Sequence, residues 1–207
     1  VPNLMIDHAM RNPGLPAGFW RGVNNNQNAI YLECFMDELA AAAGQDALEF
    51  RRKLLGNSPR HLAVLNAVAE RAGWGKPAPA GVFRGLAQHM GYGSIVAATD
   101  CGHVVNPQQV AAQIEGSFVY GLSAALMQEI TTKDGKVEQE NFDSYPCMLL
   151  EDMPVVESIL MPSGDFWGGV GEPTIFVAAP AVLNAIFAAT GKRIRDLPLA
   201  KHDLRKA

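Results

Sequence analysis

Ile95-Val96-Ala97-Ala98-Thr99-Asp100, followed by Cys101-Gly102-His103-Val104-Val105 and then Asn106-Pro107, sets the architecture of this chain. The first five residues are a run of small, β-branched and apolar side chains ended by Asp100, the pattern of a buried strand. Cys101-Gly102-His103 then reads as the turn after that strand. Asn106-Pro107 pairs a preferred N-cap with a proline at the first helical position. It opens a helix through Val110 and Ile114 toward Leu126. Gly116 and Gly121 cost that helix about 1 kcal/mol each relative to alanine, which predicts close packing against its backbone.

Working toward the N-terminus, residues 74–94 read as loop and short strand, and three helices precede them. The first runs from about Asn28 through Tyr31, Cys34, Phe35, Glu38 and Leu39 to Ala43, with Gly44 as its stop. Asp46 caps the second, with Glu49 three positions on completing a capping box, and it runs through Phe50 to Leu55. Ser58-Pro59 opens the third, which carries Leu62, Leu65, Ala69 and Ala72 on one stripe and ends at Gly73. Residues 1–20, rich in Pro, Gly and Asn, read as irregular and end in Phe19-Trp20-Arg21-Gly22.

Working toward the C-terminus, Lys133-Asp134-Gly135-Lys136 is an Asp-Gly hairpin turn whose half-polar strands suggest a sheet edge. Val155–Met161 reads as a strand, and a last helix is expected from Pro180 to Thr190, closed by Gly191 and the basic pair Lys192-Arg193. A helical layer followed by strands and further helices is an α+β arrangement.

At 207 residues and 48% hydrophobic, the chain can build one substantial core or two small ones. A net charge of −4, with no basic run, argues against nucleic acid as a partner. No apolar stretch approaches the roughly 20 residues that cross a bilayer. Val1-Pro2-Asn3-Leu4 has neither an initiator Met nor a signal-peptide pattern, so the sequence is expected to be an internal piece of something longer or a processed product. Cys34, Cys101 and Cys147 are odd in number and widely spaced. They suit buried thiols rather than a disulfide framework, and they are too few for a four-thiolate iron–sulfur centre.

Between the 155–161 strand and the last helix lies Gly168-Gly169-Val170-Gly171-Glu172-Pro173. Three glycines in four residues permit positive φ or close approach of another molecule. Pro173 restricts Glu172 to extended conformations. Alone, the run reads as a surface turn with a solvated carboxylate; a lone general base on a stiff corner is the alternative. It is not a dinucleotide fingerprint, because the spacing is wrong and Glu-Pro stands where a helix should begin. Gly91-Tyr92-Gly93 is weaker still. His8, His61, His89, His103 and His202 include no His-x-x-x-His pair, and Cys101 with His103 is an incomplete metal set. No Gly-x-Ser-x-Gly elbow is present. Trp20-Arg21-Gly22 reads as an anion-binding loop or a loop anchor, and Gln113 as a ligand-directed amide or a satisfied core amide.

Five segments in order change that balance. They are Trp20-Arg21-Gly22-Val23 with Gln27-Asn28-Ala29; Asp37-Glu38-Leu39-Ala40 with Leu48-Glu49-Phe50-Arg51-Arg52; Thr99–Pro107; Gln113-Ile114-Glu115-Gly116 with Gly121–Leu126; and Gly169-Val170-Gly171-Glu172-Pro173. Together they resemble the C-terminal part of the molybdenum-binding large subunit of the xanthine dehydrogenase/aldehyde oxidase family. The likeness is to the branch of isoquinoline 1-oxidoreductase beta subunits and related aldehyde and nicotinate dehydrogenases, and it runs from about residue 10 to 204.

The resemblance implies an α+β fold of helical layers on a mixed sheet. Residues 1–207 would form the C-terminal portion of a molybdopterin-binding domain, with a helical segment at 28–73 and an α+β segment at 85–207. It implies a molybdenum–molybdopterin cofactor in its cytosine dinucleotide form, with no metal ligand from this chain. Glu172 would be the catalytic base. Trp20, Arg21, Gly22, Gln113 and Gly171 would lie against the cofactor. The substrate would be an aldehyde or N-heterocycle oxidised with water, and [2Fe-2S] clusters on a partner subunit would carry electrons toward a cytochrome-linked acceptor. It further implies a chain or segment supplying the N-terminal half of the family's large polypeptide, and a periplasmic or cytoplasmic bacterial setting. Two departures stand out. The family's polypeptide is several times longer, and relatives carry an extra pair of strands between the equivalents of Ser94-Ile95-Val96 and Ala97–Asp100. They leave a second reading open: a non-catalytic remnant or structural subunit that completes a larger assembly.

Overall fold

The computed structural model describes residues 5, 7, 9, 18–88, 96–164 and 168–205. Most of the irregular segment expected at 1–20, the Gly91-Tyr92-Gly93 run and the Ser94-Ile95 junction lie outside the described residues.

Among the described residues, five α-helices and four strands follow in the order α1 (Asn25–Ala42), α2 (Ala47–Leu54), α3 (Pro59–Arg71), β1 (Val96–Thr99), α4 (Pro107–Leu126), β2 (Thr132–Lys133), β3 (Lys136–Val137), β4 (Glu157–Leu160) and α5 (Ile175–Thr190). The α+β arrangement expected from the sequence is therefore observed. Local signals set several boundaries. Asp46 Oδ1 accepts from the amides of Leu48 and Glu49, and Asn106 Oδ1 from those of Gln108 and Gln109, so both side chains satisfy orphan donors of a first turn. Gly44, Gly73 and Gly191 follow the ends of α1, α3 and α5 with φ of +62°, +61° and +74°, as helix-terminating glycines do.

Other local expectations are corrected. Ser58 makes no side-chain cap to α3. The capping box at Asp46 is only half formed, because Glu49 turns away to Arg52 at 2.5 Å. No strand forms among the described residues of 74–88. The 132–137 hairpin is a separate exposed ribbon rather than an edge of the main sheet. Of the thiols, Cys101 is buried, Cys34 half-buried and Cys147 exposed; burial pushes the Cys34 thiol up to about 11.

The largest correction concerns α5, which starts at Ile175 and carries Pro180 in its interior. Its first seven residues are all buried, with Ile175 and Phe176 against Ala29 of α1, and Val177, Ala178 and Ala181 against α4. Burial of that apolar run outweighs the hydrogen bond that the proline removes. Glycines then let backbones meet. A Cβ on Gly121 of α4 would lie 2.6 Å from that of Ala178, and one on Gly85 only 2.0 Å from the Ala181 carbonyl oxygen of α5.

Strands β1 and β4 are parallel, in the register Val96 with Glu157 through Thr99 with Leu160. Alternation sends Ala97 and Ala98 of β1 to opposite faces. Ala97 joins the core built by α4 and α5, and Ala98 the core built by α2 and α3. The sheet is thus covered on both sides, as a parallel pair requires. Both strands point their C-terminal ends toward one loop region, residues 100–106, 161–164 and 168–174.

Candidate active site

Open parallel arrangements bind ligands beyond the carboxyl ends of their strands. Here the two loops at that end are stitched together. Met161 N donates to Thr99 O at 2.9 Å, Gly164 N to Gly102 O at 2.9 Å, and Gly168 N to Cys101 O at 3.0 Å.

Asp100 is the knot of this stitching, and the sequence offered no role for it. Its Oδ1 accepts from the Gly102 amide at 2.9 Å and the Ser163 hydroxyl at 2.8 Å, and its Oδ2 from Arg60 of α3 at 2.8 Å. Burial of Asp100 opposes ionisation. The Gly102 amide, the Ser163 hydroxyl and the Arg60 guanidinium outweigh it and hold the carboxyl below the usual aspartate range. A folded-state pKa below the unfolded one contributes stability above the unfolded value, near 3.9, that is lost as the pH falls through the folded value. Asp100→Asn is therefore expected to be less stable than wild type at pH 7, with the gap shrinking toward pH 3. Urea unfolding at the two pH values checks this, and a gap independent of pH overturns it.

A groove of about 500 Å³ lies between these loops and α4, bordered by Cys101, His103, Gln109, Gln113, Gly168 and Val170. Glu172 follows two residues after Val170, the last residue of this segment that borders the groove; it is exposed, and its carbonyl accepts from Ile175 N at the start of α5. Glu-Pro thus leads directly into a helix, contrary to the expectation that none begins there. Gly169 and Gly171 do not use positive φ, and a Cβ on either would meet nothing within 4 Å. They border open space rather than a tight turn.

The sequence singled out Arg21, Gln113 and Gly171 separately; the fold joins them. Arg21 Nε donates to Gly171 O at 2.6 Å, and its NH2 donates to Gln113 Oε1 at 3.1 Å and Gln113 O at 3.3 Å. The guanidinium lies 5.6 Å from the Tyr120 ring centroid, a cation–π contact. Burial lowers the Arg21 pKa, and Tyr120 and Glu172 act in the opposite direction through charge.

Gly22 and Trp20 hold the turn that presents Arg21. Val23 N donates to Trp20 O at 2.9 Å, and Asn26 Nδ2 to Arg21 O at 2.8 Å. Gly22 has φ +88°, and a Cβ there would lie 2.5 Å from the Phe176 ring. Its glycine identity is thus explained by packing against α5. Val23, at φ +50°, is a β-branched residue in the left-handed region, a strained conformation of the kind that gathers at functional sites.

The donors along the groove suit an acceptor-rich ligand. Among the described residues, no acceptor takes the amides of Gly169, Val170, Gly171 or Glu172, or the Gln113 NH2. Among the described residues, no group of three or more His, Cys, Asp or Glu side chains gathers that could hold a metal ion. The amides of residues 169–172 and the Gln113 NH2 fit the acceptor groups of an organic ligand.

Residues 91–154, which include β1, the 100–106 loop, α4 and Gln113, match the molybdopterin cofactor-binding domain family. The chain is 30% identical over 223 residues to the isoquinoline 1-oxidoreductase beta chain of Brevundimonas diminuta, an overlap covering 96% of this chain and 29% of that one. It is 30% identical over 234 residues to one of the nicotinate dehydrogenase subunits of Pseudomonas putida, covering 94% and 20%. A shorter match, 35% over 107 residues, to the xanthine dehydrogenase molybdenum-binding subunit of Escherichia coli O157:H7 covers 48% and 14%. The chain spans less than a third of the length of each of these relatives.

Proposed function

Starting from a chain related to the molybdenum-binding subunits of the xanthine dehydrogenase/aldehyde oxidase family, we propose that it carries the catalytic-base side of a molybdopterin-dependent oxidoreductase site. The observation that carries this reading is the joining of Arg21, Gln113 and Gly171, from three distant segments, beside Glu172.

Bound molybdopterin supplies two-electron redox chemistry. The residues of this chain do the rest. The Gln113 NH2 and the amides of Gly169 to Glu172 offer donors to the acceptor-rich cofactor. Glu172, exposed two residues after the groove-bordering Val170, takes a proton during water-derived oxygenation of the substrate. Trp20 and Gly22 hold the neighbouring turn. The substrate class is an aldehyde or an electron-poor N-heterocycle, as the relatives' names indicate for those proteins. The cofactor is of the cytosine dinucleotide form. A partner with [2Fe-2S] clusters takes the electrons toward a cytochrome-linked acceptor, and a further chain or segment completes the site.

Native purification of the assembly followed by metal and pterin analysis tests this. Stoichiometric molybdenum with co-purifying iron is expected. Absence of both overturns the reading and favours a structural role in a larger assembly.

A further inference from the structure

Arg21 spends two of its three guanidinium nitrogens on this chain itself. Its Nε is spent on the Gly171 carbonyl and its NH2 on the two oxygens of Gln113. Three residues of α4 form its seat, and they recur at helical spacing: Gln113, Gly116 and Tyr120 at i, i+3 and i+7 share one face. Gln113 accepts from the guanidinium, and Tyr120 stacks beside it. A Cβ on Gly116 would meet Arg21 NH1 at 3.8 Å, an ordinary van der Waals contact. The close packing expected of the two α4 glycines is therefore present at Gly121 and not at Gly116.

We infer that Arg21 is a positioning residue: it clamps the Gly171 carbonyl and the Gln113 side chain together, setting the backbone of Glu172 and orienting the Gln113 amide. An amide whose oxygen faces Arg21 directs its NH2 the opposite way, and Gln113 borders the groove. The clamp therefore decides which edge of Gln113 a ligand meets. It also holds the residue next to the base, on a segment with few other ties: Gly168 N to Cys101 O at one end and the first turn of α5 at the other. The Arg21 guanidinium is the one hydrogen-bonded tether of residues 169–171 among the described residues. The assignment rests on the reading of Glu172 and Gln113 given above, but the clamp itself can be read without activity.

The test compares Arg21→Met, Arg21→Lys and Gln113→Leu in the natively assembled protein by amide hydrogen exchange, cofactor content and steady-state kinetics. Loss of charge-assisted hydrogen bonds should speed exchange of the Gly168 and Ile175 amides, which bond at the two ends of this segment, by about ten- to hundredfold in Arg21→Met, with the middle of α4 unchanged. Molybdenum content should stay near wild type and kcat should fall with KM little changed, because orientation rather than binding is lost. Arg21→Lys, with a point charge in place of a fork, should restore only part of the protection. Gln113→Leu should lower cofactor content and leave exchange of the Gly168 and Ile175 amides as in wild type. Exchange in Arg21→Met within about twofold of wild type overturns the clamp. So does a fall in cofactor content without faster exchange, which would mark Arg21 as a direct ligand. Faster exchange in an assembly that holds no molybdenum would keep the clamp and overturn only the proposed function.

Discussion

Replacing Glu172 by glutamine in the assembled enzyme is expected to cut turnover by about 10²–10⁴-fold while molybdenum content stays near wild type. Glutamine keeps the size and the hydrogen-bonding reach of the side chain but cannot accept the proton. The substitution should fold, because Glu172 is exposed and its carboxylate has no hydrogen bond among the described residues. Its backbone contribution, the carbonyl that receives Ile175 N, is retained. Steady-state kinetics with metal analysis on the same sample separates chemistry from assembly. Turnover within about tenfold of wild type would remove Glu172 from the role of base.

The largest effect on stability is expected from Glu33→Ala. Glu33 and Arg51 are 4% and 3% exposed, and they join α1 to α2. Arg51 Nε and NH2 reach Glu33 Oε2 at 3.1 and 3.0 Å, and NH2 also reaches the Glu33 carbonyl at 3.0 Å. Gln88 N donates to the same carboxylate oxygen at 2.7 Å, and Asn184 of α5 donates to the Glu33 and Leu86 carbonyls. One carboxylate thus anchors two helices and the segment that passes α5. Truncation leaves the buried Arg51 without its counter-charge and the half-buried Gln88 amide without its acceptor, which costs about 3–5 kcal/mol and about 10 °C in Tm. The double replacement of Glu33 and Arg51 by leucine should recover much of that loss, since no charge then remains buried. Urea unfolding of the single and double variants checks both statements. A loss below about 1 kcal/mol in Glu33→Ala would show that water reaches the pair.

Much of this frame was legible residue by residue. Caps and stops are local chemistry, so Asp46, Asn106, Gly44, Gly73 and Gly191 mark helix ends where the chain has them. The β1 run was legible as a buried strand because Val96, Ala97 and Ala98 are apolar and Thr99 is β-branched. Pro180 misled for the same local reason. A proline reads as a first turn when neighbours alone are weighed, yet the apolar residues before it gain more by burial against α1 and α4 than the lost hydrogen bond costs. The glycine corner left two readings open, positive φ or close approach of another molecule. Gly169 and Gly171 take no positive φ and border open space, which leaves the second. Glu33, whose partners lie 18 and 55 residues away, carried no sequence signal at all.

By itself, then, the sequence determined the helices, the β1 strand, the α+β class and a short roster of residues with the chemistry to serve a site. Tertiary structure alone decided which of them meet. Arg21 bonds Gly171 across 150 positions and Gln113 across 92, and Asp100 binds Arg60 across 40. Contacts of that kind leave no periodicity and no fixed spacing in the chain. They follow from the parallel register of β1 with β4, from α5 packing between α1 and α4, and from the side chains that this packing brings to one end of the sheet.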